Sequence, residues 1–156
     1  MLWEQVRMRG GAYGVFASPN GGEGVFTFAS YRDPRTIETL EAYRSGLEHL
    51  SARFVDSSEL EKAIIGVVGR DVRPMAPSEK SIVGFRRRLY NISDELRQKK
   101  RDCVVSASPR DIGEAAERLR TQMERSVSVV MAGKQAIDRA AETDASLGAR
   151  RKALPL

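Results

Sequence analysis

The chain has 156 residues, 41% hydrophobic and 30% charged, a length that suits a single core burying about 68–70% of the unfolded surface. No apolar run approaches the roughly 20 residues that cross a bilayer, so a membrane is excluded as a partner and a soluble chain is expected. One cysteine and one histidine exclude an internal disulfide and a zinc site built on two histidines, and suit a reducing compartment, the cytoplasm or an organelle matrix; a net charge of +5 would favour an anionic partner only if it were concentrated.

MLWEQVRMRGG has no apolar stretch after its charges, so no signal peptide is read there. Leu2, Trp3 and Val6 share a helical face, and Gly10-Gly11 supplies the left-handed turn that ends a helix. Ala12 to Ser18 and Gly24 to Tyr31 read as strands joined by Pro19-Asn20-Gly21-Gly22-Glu23, a β-hairpin. Tyr13, Val15 and Ala17 alternate onto one face and Gly14 and Phe16 onto the other. Asp33-Pro34 starts a helix carrying Ile37, Leu40, Tyr43, Leu47, Leu50 and Phe54. A second helix begins at Asp56-Ser57-Ser58 and carries Leu60, Ile64 and Val67. Ser78 is expected to cap a third with the apolar stripe Ile82, Phe85, Leu89 and Leu96, interrupted near Asn91-Ile92-Ser93-Asp94. Ser108-Pro109 opens another through Ile112, Ala116, Leu119 and Met123. Val127 to Met131 reads as a short apolar strand, Gln135 to Ala141 as a last helix, and 142–156 as a polar, frayed tail. The sum is an α+β domain, residues 1–141, with helices covering one face of a mostly antiparallel sheet. Three strands leave an unpaired edge, and the shortage suggests part of something longer.

Most candidate chemistry has an ordinary explanation. His49 is expected on the surface of the long helix, and Cys103, beside Val104 and Val105, as a small buried hydrophobe. Gly21-Gly22-Glu23-Gly24 joins two strands and lacks the Lys-Ser/Thr and helix start of a phosphate loop. Arg86-Arg87-Arg88 fans over about 200–300° of a helix, and Arg97 to Arg101 has no interleaved aromatics to stack bases, so a solvated helix surface outweighs nucleic-acid binding. Arg7 and Tyr13, on either side of the glycine pair, are compatible with a helix-closing cation and a packed ring; spacing alone favours that plain account.

Three stretches change the balance. "LWEQVRMRGGAYGVFAS", "GVFTFASYRDPRTIETLEAY" and "ELEKAIIGVVGRDVRPMAPSEKSIVGFRRRLYNISDELRQKKRDCVVSASPRDI" closely resemble the C-terminal domain of presequence-protease and falcilysin-type zinc peptidases, of the pitrilysin and insulin-degrading-enzyme superfamily. The likeness runs from about Leu2 to Gly133, and RxxGGAYG and SYRDP are its specific signatures. The resemblance implies a clamshell enzyme of four related α+β domains, of which this is an incomplete copy of the fourth. Its zinc motif, an inverted H-x-x-E-H with a further Glu, would lie in the first domain and does not occur here, so this chain is expected to bind no metal and to be inactive alone. The partner is then the N-terminal half of the same enzyme, and the substrate an unstructured peptide.

The resemblance also implies that Arg7 and Tyr13 act across the closed chamber, Tyr13 holding the oxyanion and Arg7 orienting the substrate backbone or adding to that stabilisation. Both are therefore candidate catalytic and substrate-binding residues. Strands preceding Met1 would complete the sheet. A non-catalytic peptide-binding or scaffold module of the same fold is the alternative.

Overall fold

A computed structural model of the chain describes residues 1–52 and 55–153. It is α+β and mostly helical, with one two-stranded antiparallel sheet. The chain divides into two compact units, one of Met1–Leu50 with Ala116–Leu156 and one of Ser51–Ala115. Among the described residues no helix is long and apolar enough to cross a membrane.

The first unit opens with a widened, π-wound helix, Trp3–Arg9. Strands β1 (Gly14–Asn20) and β2 (Val25–Tyr31) follow, paired from Gly14 with Tyr31 to Asn20 with Val25. The turn is fixed locally. The Asn20 side chain accepts from the Gly22 amide at 3.2 Å and donates to Glu23 at 2.8 Å, and Gly24 takes φ +66°, a left-handed value that costs glycine nothing. Cross-strand partners share a face, so Val15 and Ala17 lie with Phe28 and Phe26. Val15 and Phe28 pack on a cluster of buried Val6, Ala12 and Tyr43, with Leu2, Leu40, Ala42 and Met123 around it. Phe28 stacks on Tyr43 at 4.9 Å and 17°. Burial pushes the Tyr43 phenol above its ordinary pKa, and the negative charge of Asp33 adds to the rise.

Helix α1 runs Thr36–Ala52. It starts two residues later than Asp33-Pro34 suggests: the Asp33 carboxylate accepts from the Arg35 amide at 2.9 Å in a turn before the helix, and Thr39 donates the first helical bond to the Arg35 carbonyl at 3.0 Å. Its buried face carries Thr39, Tyr43, Gly46 and Leu47, and His49 is exposed. Phe54, counted with its stripe, lies outside the described residues. Leu2 lies against Gly46, where a side chain would begin 3.2 Å from its Cδ2, so the bare backbone seats the N-terminal helix on α1.

The second unit holds α2 (Ser57–Asp71), α3 (Pro77–Leu89) and α4 (Asp94–Val105). Asp56 caps α2 through the Ser58 amide at 3.0 Å and Ser93 caps α4 through Leu96 at 3.2 Å, as their side-chain oxygens allow. Ser78 does not cap α3. Pro77 already occupies the first turn after Ala76, since its preset φ starts a helix without a side-chain acceptor. Among the described residues the unit's buried apolar side chain is Leu60, and Arg101 of α4 reaches Asp71 of α2 at 3.0 Å. Cys103 is exposed, not buried: α4 turns Arg97, Arg101 and Val104 inward, and Cys103 lies on another side of the helix.

Helix α5 spans Pro109–Met123, with Ser108 and Asp111 each accepting the other's amide, at 3.3 and 2.7 Å, the reciprocal arrangement of a capping box. The expected strand Val127–Met131 is not one. Residues 127–132 carry no helix or strand and, among the described residues, make no backbone hydrogen bond; a strand exists only against a partner, and neither hairpin edge supplies it. Helix α6 (Lys134–Thr143) follows, and α7 (Ala145–Ala149) lies within the stretch 142–156, capped by Asp144 through the Ser146 amide at 2.9 Å.

Candidate functional site

Arg7 and Tyr13 are separated by a joint that two glycines make possible. The Ala12 amide donates back to the Val6 carbonyl at 3.1 Å and the Gly11 amide to Arg7 at 3.0 Å, closing the helix through a left-handed residue as helix ends commonly do. That residue is Gly11, at φ +81°. Gly10 is needed for a different reason: a Cβ there would sit 2.4 Å from the Val6 carbonyl oxygen. The chain then leaves extended, and Tyr13 anchors the start of the hairpin by donating its amide to the Tyr31 carbonyl at 3.1 Å.

Each candidate side chain has its own neighbour. The Arg7 guanidinium, half-buried, lies 4.0 Å from the centroid of the Trp3 ring, one helical turn back, where a cation over an indole face is attracted by the ring's quadrupole. The Tyr13 ring meets Tyr31 edge-on at 6.0 Å and 84°. Tyr31 in turn carries the Arg32 guanidinium at 5.6 Å, with Arg32 itself at φ +49°. Tyr13 is 67% exposed, and its hydroxyl makes no hydrogen bond among the described residues. A phenol held by its ring with a free hydroxyl can donate to an incoming acceptor.

Trp3, Tyr31 and Arg32 were not singled out by residue-type reasoning. The signals were there: Trp3 and Arg7 are four apart on a helix, and Tyr31-Arg32 stand inside SYRDP. A hollow of about 400 Å³ lies beside this region, lined by Val6, Arg9, Gly10, Arg35, Thr39 and Glu41 among others, but neither Arg7 nor Tyr13 lines it. It is open, and Arg9 is already paired to Glu4 at 2.6 Å, so the chemistry is better sought at the exposed phenol.

Zinc does not fit the residues of this chain. Among the described residues no three His, Cys, Asp or Glu side chains are grouped to hold a metal, and the single histidine and single cysteine are both exposed.

The comparisons with known proteins agree with the motif pattern. The family model of the PreP C-terminal domain matches residues 1–134. Presequence protease 1, chloroplastic/mitochondrial, of Arabidopsis thaliana is 36% identical over 139 residues, covering 89% of this chain and 13% of that protein. The mitochondrial presequence protease of Danio rerio is 36% identical over 117 residues, 75% of this chain and 11% of its own length. An uncharacterised protein of Borreliella burgdorferi is 35% identical over 129 residues, 83% and 13%. The chain thus spans little more than a tenth of the length of these curated relatives. With its glycine joint, its Tyr13 anchor and this likeness over most of its length, the chain belongs to the presequence protease family, as a C-terminal domain.

Proposed function

We propose that this chain is the transition-state-stabilising and substrate-clamping part of a longer zinc-dependent endopeptidase that degrades unstructured peptides. The hydrolytic centre, metal included, would be contributed by the remainder of that protein. What this chain adds is hydrogen-bond donors. When water attacks a peptide carbonyl, negative charge grows on the oxygen, and a phenol already in place stabilises it without reorganising, most effectively where water is excluded. Tyr13 is that donor. Arg7, always charged and able to donate several bonds in one plane, holds the substrate backbone, with its guanidinium kept from wandering by Trp3. The observation that carries the reading is the joint: Gly11 at φ +81° and a Gly10 that tolerates no Cβ fix where the helix stops and the Tyr13 strand starts.

The test is Tyr13→Phe in the longer protease. Loss of one such donor should lower kcat by about 10²–10³. The denaturation midpoint should stay put, because the hydroxyl has no partner in the fold to lose. Arg7→Ala should act mainly on KM. Normal turnover by Tyr13→Phe would reject the role and leave the chain a peptide-binding or scaffold module.

A further inference from the structure

Helix α3 faces the wrong way for a helix at the surface of a finished protein. Its apolar side chains Ile82, Phe85 and Leu89, three and four residues apart, form one stripe, yet they are 61%, 68% and 61% exposed. The half-buried residues are Glu79, Val83 and Arg87, a stripe roughly 130° around the axis from the apolar one. A surface helix normally does the reverse, burying the apolar stripe and wetting the charges.

The area agrees. The chain exposes 12602 Å², whereas two separately folded bodies of these sizes would expose about 9,400 Å² in total. The excess, roughly 3,200 Å², is spread over exposed apolar side chains of both units, and this stripe is one part of it. Relatives of this chain are several times longer than it is, with 11–13% of their length matched, so proteins of this family carry ample further surface. The rim of the stripe is cationic: Arg86 and Arg88 are exposed and form no ion pair among the described residues.

We infer that the Ile82–Phe85–Leu89 face is an interface inside the longer polypeptide, covered by another domain of the same protein through an apolar surface edged with carboxylates that meet Arg86 and Arg88. This rests on the reading that the chain works as part of a longer protease. It gives the second unit a task separate from that of Tyr13, attachment rather than chemistry.

Single-cysteine reporters test it. Exposed Cys103 is first removed as Cys103→Ser; Phe85→Cys then reports the stripe, and Gly84→Cys, whose new side chain meets nothing within 4 Å, reports the same helix off the stripe. In this chain alone a maleimide should label both at similar rates. In the longer protein Phe85→Cys should slow by about tenfold or more relative to Gly84→Cys. Equal rates at the two positions there, fast or slow, overturn the inference; so does protection of Phe85→Cys in this chain alone that grows with concentration, which would mean a second copy. Ile82→Cys, read against the same control, decides if Phe85→Cys does not fold. Peptidase assays on the same proteins keep the two ideas apart: turnover with a freely labelled stripe sinks this inference alone, and a protected stripe without turnover sinks the functional reading alone.

Discussion

Two adjacent glycines are required at the joint on different grounds, and the difference is measurable. At Gly11 the constraint is the backbone angle, φ +81°, which an alanine adopts at a cost of about 1–2 kcal/mol. Asparagine visits that region more readily, so Gly11→Asn should lose less than Gly11→Ala. At Gly10 the constraint is space, with a Cβ brought to 2.4 Å from a carbonyl oxygen, and no choice of side chain relieves it. Urea midpoints of the three variants should therefore rank Gly11→Asn above Gly11→Ala, with Gly10→Ala also destabilised. Trp3, the one tryptophan of the chain, reports the same region by fluorescence, because Arg7 sits on its ring. Gly11→Ala as stable as the parent, with unchanged Trp3 emission, would mean that the joint does not hold Arg7 and Tyr13 where they are. Much of this was readable in advance: Gly-Gly after a helical pattern says that a helix ends. That Trp3 would lie under Arg7, and that Tyr31 would brace Tyr13, depends on rotamers and cross-strand register, which a linear pattern does not specify.

Among the elements, α2 and α4 are tied by Arg101 and Asp71. The hydrogen bond from Arg101 holds the Asp71 carboxyl below its usual pKa, assisted by the charges of Arg101, Arg97 and Lys100. A carboxylate whose folded pKa is depressed adds stability above its unfolded value near about 4, and that stability is lost as pH falls through the folded value. Asp71→Asn should therefore be less stable than the parent at pH 7, and the two should converge in acid. The Asp71 side chain is 44% exposed, so solvent screening limits the loss to about 0.2–1 kcal/mol, smaller in high salt. Urea titrations across pH read it directly, and a gap that persists below the acid transition would assign the effect to packing instead. Helix starts were legible at this scale because caps are local: Asp56, Ser93 and Ser108 each bond an amide two or three residues on. The orientation of α3 was not legible. Periodicity shows that Ile82, Phe85 and Leu89 share a stripe, but only the rest of the molecule decides whether that stripe faces in or out.

For the whole molecule, the small core is the governing fact: among the described residues Val6 is the large side chain that is fully buried, and apolar surface is left over in both units. The same deficit explains the missing strand. Ser126-Val127-Ser128-Val129-Val130-Met131 has the β-branched composition of a strand, but a strand is a property of a pair, and neither hairpin edge is offered to it. Val127, Val129 and Met131 are instead 84%, 89% and 83% exposed, beside backbone groups that find no backbone partner among the described residues. A short, apolar, uncharged, β-prone segment in this state pairs with copies of itself when it can. Val129→Lys should therefore leave the urea midpoint of this chain unchanged, since an exposed position loses no packing, while lowering concentration-dependent association in sedimentation or light scattering, because a lysine on a would-be edge opposes strand pairing. A midpoint that falls in this chain alone would show Val129 to be packed already, and unchanged association would show that this segment is not what drives it.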